Sequence, residues 1–265
     1  LCALHRAWGA EATPLTCQTH PRFTEEFGPF AERTLSAACP AANALLLGNR
    51  EPLGFREVET GEPGEEGDEW LPYLVPFRQR LFTVLQDRSR PLRARLAEFL
   101  TLCLLGDAVL ADAEREGTAP EGLLTLEGGT LEGELPEDGI FPAGFRLLAS
   151  LEVLEPDWRD VLARAGTAAP VPQDEALLER IAVYFAYRSI LKCVNDGDLL
   201  GRALYTVFLT LAAERIAAVC GLPEALRRLS REVEHDADNG EALLTAFRED
   251  AAFDLGCFLR ELRDP

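Results

Sequence analysis

Three cysteines open the sequence as Cys2-x14-Cys17-x21-Cys39, in a stretch turned by Pro14, Pro21, Pro29 and Pro40. Thiolates far apart in sequence reach one ion only where the chain turns sharply, so the pattern suits a loop-built metal or iron–sulfur site. It lacks a C-x2-C pair, and small buried cysteines often serve as packing, so the spacing leaves both readings open. His5 and His20 add nitrogen donors to the same stretch. Arg22, next to Pro21, is placed to buttress the loop or to pair with an anionic cofactor.

A second cluster, Ser230-Arg231-Glu232-Val233-Glu234-His235, combines a cation, two carboxylates and an imidazole. On one helix, Arg231 lies three residues from Glu234 and four from His235, and Glu232 lies three from His235. One face then gathers acid, base and cation. From spacing alone, a solvated helix with local ion pairs is the commoner outcome. Leu123-Leu124-Thr125-Leu126-Glu127-Gly128-Gly129-Thr130 superficially matches a nucleotide-binding strand, acid and glycine loop. No βαβ pattern surrounds it and Pro136 follows where a helix should begin, so an acidic hairpin or loop is the better reading. Cys103, Cys193, Cys220 and Cys257 fall in apolar helical surroundings and are expected to pack in the core.

The elements that position these groups read as helices. Leu74, Phe77, Leu81, Val84 and Leu85 follow three- and four-residue steps, and a second stripe after Pro91 carries Leu92, Leu96, Phe99, Leu100, Cys103 and Leu104. Shorter helices are expected over Phe145–Leu154 and Trp158–Ala165. Leu177, Leu178, Ile181, Tyr184, Phe185, Arg188 and Leu191 form a strong stripe after an acidic start at Gln173-Asp174-Glu175. The run around Leu204–Ile216 is very apolar, but Arg202, Glu214 and Arg215 cut its uncharged length below the roughly 18 residues of a membrane span. Alternation long enough for a sheet is not evident. The expectation is a mostly α-helical fold: a loop-rich cysteine segment over 1–58 with a short helix after Pro40, an acidic solvated loop over 59–70, and a helical bundle over 71–265.

Composition narrows the function classes. The chain has 265 residues, 47% hydrophobic, enough for a real core. A formal charge of -19 disfavours non-specific nucleic-acid binding and anionic membranes, both of which rely on Lys and Arg. Lys192 is the only lysine. Seven cysteines, an odd number, with no charged-then-apolar leader before Cys2, read as a reducing cytoplasm.

Two blocks carry a family resemblance. The first is Leu1-Cys2, Gly9-Ala10-Glu11, Leu15-Thr16-Cys17, His20-Pro21-Arg22-Phe23 and Leu35-Ser36-Ala37-Ala38-Cys39-Pro40; the second is Leu229 through His235 with Asp238-Asn239. Between them, Leu85–Leu92 and Tyr187-Arg188 through Asp196-Gly197-Asp198-Leu199-Leu200 also match. The chain resembles the bacterial flagellin lysine-N-methylases and their cysteine-rich relatives. That resemblance implies methyl transfer from S-adenosylmethionine to flagellin lysines, with an iron–sulfur cluster as a cofactor. It implies that Glu234 or His235 orients or deprotonates the amine beside Arg231, that Asn239 caps the helix or binds substrate, and that Cys2, Cys17 and Cys39 are metal ligands. Arg22 would contact a cofactor, whereas His20 stands where relatives carry an aromatic residue and reads as packing. Family members carry further cysteines upstream, so the chain reads as a fragment or truncated paralogue with an incomplete ligand set. The alternative is a noncatalytic metal-binding or flagellin-recognition protein derived from that family.

Overall fold

The computed structural model describes residues 3–59, 64–129 and 135–263. It is mostly α-helical, as the periodicity requires. The bundle is built on α4 (Leu71–Leu85), α5 (Leu92–Glu116), α6 (Phe141–Ser150), α7 (Trp158–Thr167), α8 (Glu175–Ser189), α9 (Leu199–Cys220), α10 (Leu222–Leu229), α11 (Ala237–Glu249) and α12 (Leu255–Arg263). α9 runs through its middle and packs against α5, α7, α8, α10 and α11. It is long and apolar enough to cross a membrane, and two thirds of its most apolar window is buried inside the fold. Phe208, Leu209 and Ile216 on it are wholly buried.

α8 is fixed in two ways. Asp174 caps its N-terminus, its side chain accepting from Ala176 N at 3.0 Å. Farther along, the fully buried Glu179 carboxylate receives Arg88 through two bonds of 2.8 Å and Arg95 through a third. Charge-assisted bonds of this kind are stronger than neutral ones and hold the helix in register with α5. The next residue, Arg180, reaches back to carbonyls at the end of α3 (Pro40–Leu47), including Leu46 O at 2.6 Å, where a helix leaves its acceptors unsatisfied. Of the helical cysteines, Cys103, Cys193 and Cys257 are buried, while Cys220 is partly so.

Two expectations need correction. The N-terminal segment contains a β-hairpin, β1 (Arg22–Glu26) with β2 (Ala31–Leu35), preceded by the short helices α1 (Ala3–Trp8) and α2 (Leu15–Thr19). Its inward positions include Glu25, Glu32 and Thr34, so no apolar alternation announces it. The acidic stretch after it is coil with its described acidic side chains exposed, and it touches the hairpin at one point. Glu65 N donates to Gly28 O at 3.0 Å, and Gly28 has φ +86°, with backbone so close that a Cβ would meet Glu66 O at 2.7 Å. Only glycine fits both demands. Residues 60–63 of that stretch lie outside the described set, as does Thr130 after the glycine pair; Glu121–Leu124 is a single 3-10 turn followed by coil. Finally, Ser230–Glu234 is not an ordinary helical face but a π-helical turn between α10 and α11.

Candidate functional site

The π-turn sends its two carboxylates in opposite directions. Glu232, 2% exposed, accepts from Leu154 N and Glu155 N at 2.8 Å each, pinning the loop between α6 and α7. Asn239, also buried, completes that latch: its side chain donates to Glu152 O at 2.9 Å and Glu232 O at 2.7 Å and accepts from Glu152 N at 3.1 Å. Asp236, not Asn239, caps α11. The sequence expectation that Asn239 binds substrate meets a side chain already occupied.

Glu234 points the other way, into α8. Its carboxylate pairs with Arg188 Nε at 2.7 Å and accepts from Tyr184 Oη at 3.0 Å; its side chain is 3% exposed. Tyr184 accepts in turn from Ala37 N at 3.1 Å. Burial pushes the Tyr184 phenol up, and the Glu234 charge adds to it, so the hydroxyl stays protonated and donates. Burial opposes the Arg188 charge most, but Glu234, Tyr184, Tyr205 and Glu25 together outweigh it and the guanidinium pKa is raised. Tyr205 stands behind the pair, its pKa also raised by burial and then by Glu234. The Arg188 guanidinium carbon lies 3.8 Å from the Phe23 ring centroid, a cation–π contact that brings β1 onto the pair.

His235 ends the turn at the surface. Its Nε2 lies 2.7 Å from the Oγ of Ser36, which is fully buried and 3.4 Å from Ser230 Oγ. The ring packs 5.3 Å from Phe23 and 5.8 Å from His20, between centroids. Partial burial lowers the His235 pKa from its ordinary 6.5; His20, Arg188 and Arg231 act in the same direction and Glu234 against it. The imidazole is therefore neutral at neutral pH. Arg231, 48% exposed, touches Glu155 at 3.4 Å and makes no pair with Glu234.

The structure thus joins residues almost 200 positions apart, Ser36 and Ala37 from the N-terminal block with Ser230, Glu234 and His235 from the C-terminal one. Tyr184 and Arg188 link them. Sequence reasoning placed those two in an apolar stripe without giving them a role; a tyrosine and an arginine four residues apart in such a stripe are the signal, because a buried cation needs a buried acid. Phe23, Ser36 and Ser230 fall within the two blocks of the resemblance, which gave them no role.

The other expected groups belong to the N-terminal segment. Arg22 is exposed on β1, and no polar partner is found for it among the described residues. Cys17 is exposed on α2 and Cys39 is partly buried ahead of α3. Cys2 lies outside the described residues. Among those described, no three His, Cys, Asp or Glu side chains are grouped to hold a metal ion. These residues alone do not fit a four-thiolate cluster, and no step below runs through one.

A separate cleft of about 420 Å3 lies between α5, the start of α9 and α11, lined by Trp70, Asp107, Asp196, Asp198 and Arg248 among others. Three of its carboxylates are engaged in holding α9: Asp198 accepts from Gly201 N at 2.8 Å and from Arg248, Asp196 pairs with Arg202, and Asp107 accepts from Leu200 N at 3.0 Å. No family model, curated protein or solved structure matches the chain.

Proposed function

We propose that the chain is a protein-lysine N-methyltransferase that takes its methyl group from S-adenosylmethionine and acts on flagellin lysines. The supporting observation is the meeting of the two blocks on which the family resemblance rests: Ser36 of one touches His235 of the other at 2.7 Å. In the reaction, the lysine ammonium first loses a proton to solvent. The amine lone pair then attacks the methyl carbon, the C–S bond breaks, and its electrons stay on sulfur as a thioether. The acid surplus of the chain draws in the cationic lysine. Of the expected catalytic residues, His235 and Arg231 keep surface for a partner, and a neutral imidazole does not repel the ammonium. Glu234 and Asn239 anchor the turn that carries them, one to α8 and the other to the loop before α7.

The noncatalytic alternative, a flagellin-recognition protein, is favoured by one observation: both carboxylates of the turn are consumed by internal contacts. Mass spectrometry of lysine-bearing flagellin incubated with the anaerobically purified protein and S-adenosylmethionine separates the two. Methylated lysine peptides are expected; their absence, with flagellin still bound, would leave the recognition protein.

A further inference from the structure

We infer that Ser36 is a positioning residue that holds His235 as the tautomer protonated at Nδ1, so that the nitrogen left for a ligand donates to an oxygen acceptor. The inference follows from counting hydrogens around buried hydroxyls. Ser36 Oγ has one proton and two lone pairs. It meets Ala38 N at 3.1 Å, Ser230 Oγ at 3.4 Å and His235 Nε2 at 2.7 Å. Ala38 N–H can only donate, which uses one lone pair and leaves two arrangements.

In the first, His235 Nε2–H donates to Ser36 and Ser36 donates to Ser230. The Ser230 proton is then stranded, because Ser230 is fully buried and its hydroxyl has no other hydrogen-bond partner among the described residues. In the second, Ser230 donates to Ser36 and Ser36 donates to Nε2. Every proton has an acceptor, and the arrangement avoids the desolvation penalty of an unmade buried bond. Nε2 is then the acceptor and the imidazole proton sits on Nδ1, an assignment set by the network.

Nδ1 makes no hydrogen bond to another described group, and the residue is exposed. The charged or titratable groups that face the ring are Glu234, His20, Arg188 and Arg231. With the half-exposed Arg231 beside it, the open edge presents donors, which suits a carbonyl or carboxylate oxygen. The same edge has no lone pair with which to take a proton from an amine. This conclusion stands on the hydroxyl network and holds whether or not the protein transfers methyl groups.

The chain has three histidines, so a long-range 1H–15N spectrum of protein labelled at histidine nitrogens resolves each ring. Above the titration range, His235 should show a protonated Nδ1 and a bare Nε2. Ser36→Ala should make the Nε2–H form the major one, and Ser36→Thr, which keeps the hydroxyl, should restore the Nδ1–H form. Ser230→Ala should leave Nδ1–H in place, since Ser36 still donates to Nε2. A protonated Nε2 in the wild type, an unchanged tautomer in Ser36→Ala, or a switch in Ser230→Ala would overturn the assignment. Should Ser36→Ala fail to fold, the wild-type and Ser230→Ala spectra decide it.

Discussion

Glu234 and His235 are neighbours with opposite tasks. The first is an internal acid shared by Arg188 and Tyr184, and removing one partner of a buried pair leaves the other charge uncompensated. Glu234→Ala should therefore lower unfolding free energy by about 3–5 kcal/mol in urea denaturation. His235→Ala takes the acceptor from the buried Ser36 hydroxyl but buries no unpaired charge, and should cost about 1–2 kcal/mol. Equal costs would refute the division. His235 also sets a pH dependence. Its folded pKa lies below its ordinary 6.5, so as pH falls through that value the unfolded chain takes up the proton first and stability declines. Thermal melts should lose stability from about pH 7 to about pH 5 in the wild type, and lose less of it in His235→Asn. Parallel curves would show that His235 is not the group responsible. At this scale the sequence displayed the arginine, acids and imidazole, but not that Glu234 turns inward to Arg188 and Tyr184 while Arg231 reaches Glu155 instead.

The β-hairpin shows why an element can escape sequence reading. Glu25 and Glu32 stand directly opposite each other across the strands, a pairing that repels in isolation. Each is neutralised from the bundle instead, Glu25 by Lys192 and Glu32 by Arg78 in a two-pronged contact. Arg78 also lies 4.9 Å from the Tyr187 ring centroid, on a stack that continues to Phe55. Strand formation here depends on charges far away in sequence, which no local pattern contains. The helices were readable because their apolar stripes are local and their partners interchangeable. Arg78→Leu should consequently loosen Arg22–Leu35 more than the bundle: amide exchange over the hairpin should speed up at least about tenfold while α9 stays protected. Uniform acceleration across the chain would show that Arg78 instead supports the whole core.

Over the whole molecule, the bundle brings the first forty residues and the Ser230–His235 turn to one place through α8. Tyr184 connects Ala37 to Glu234, and Arg188 connects Phe23 to the same carboxylate. The mostly α class was legible from periodicity, and the two blocks from their residues. Their contact was not, because it depends on how α8 and α10 pack. Among the described residues no three His, Cys, Asp or Glu side chains are grouped to hold a metal ion, and the proposed function rests on His235 and its supports. The measurement that tests this most directly is the methylation rate of flagellin lysines by His235→Ala, checked for native helicity by circular dichroism. Loss of a hydrogen bond made to the ligand should slow transfer by about 10- to 100-fold. Transfer at the wild-type rate by the folded variant would contradict the account.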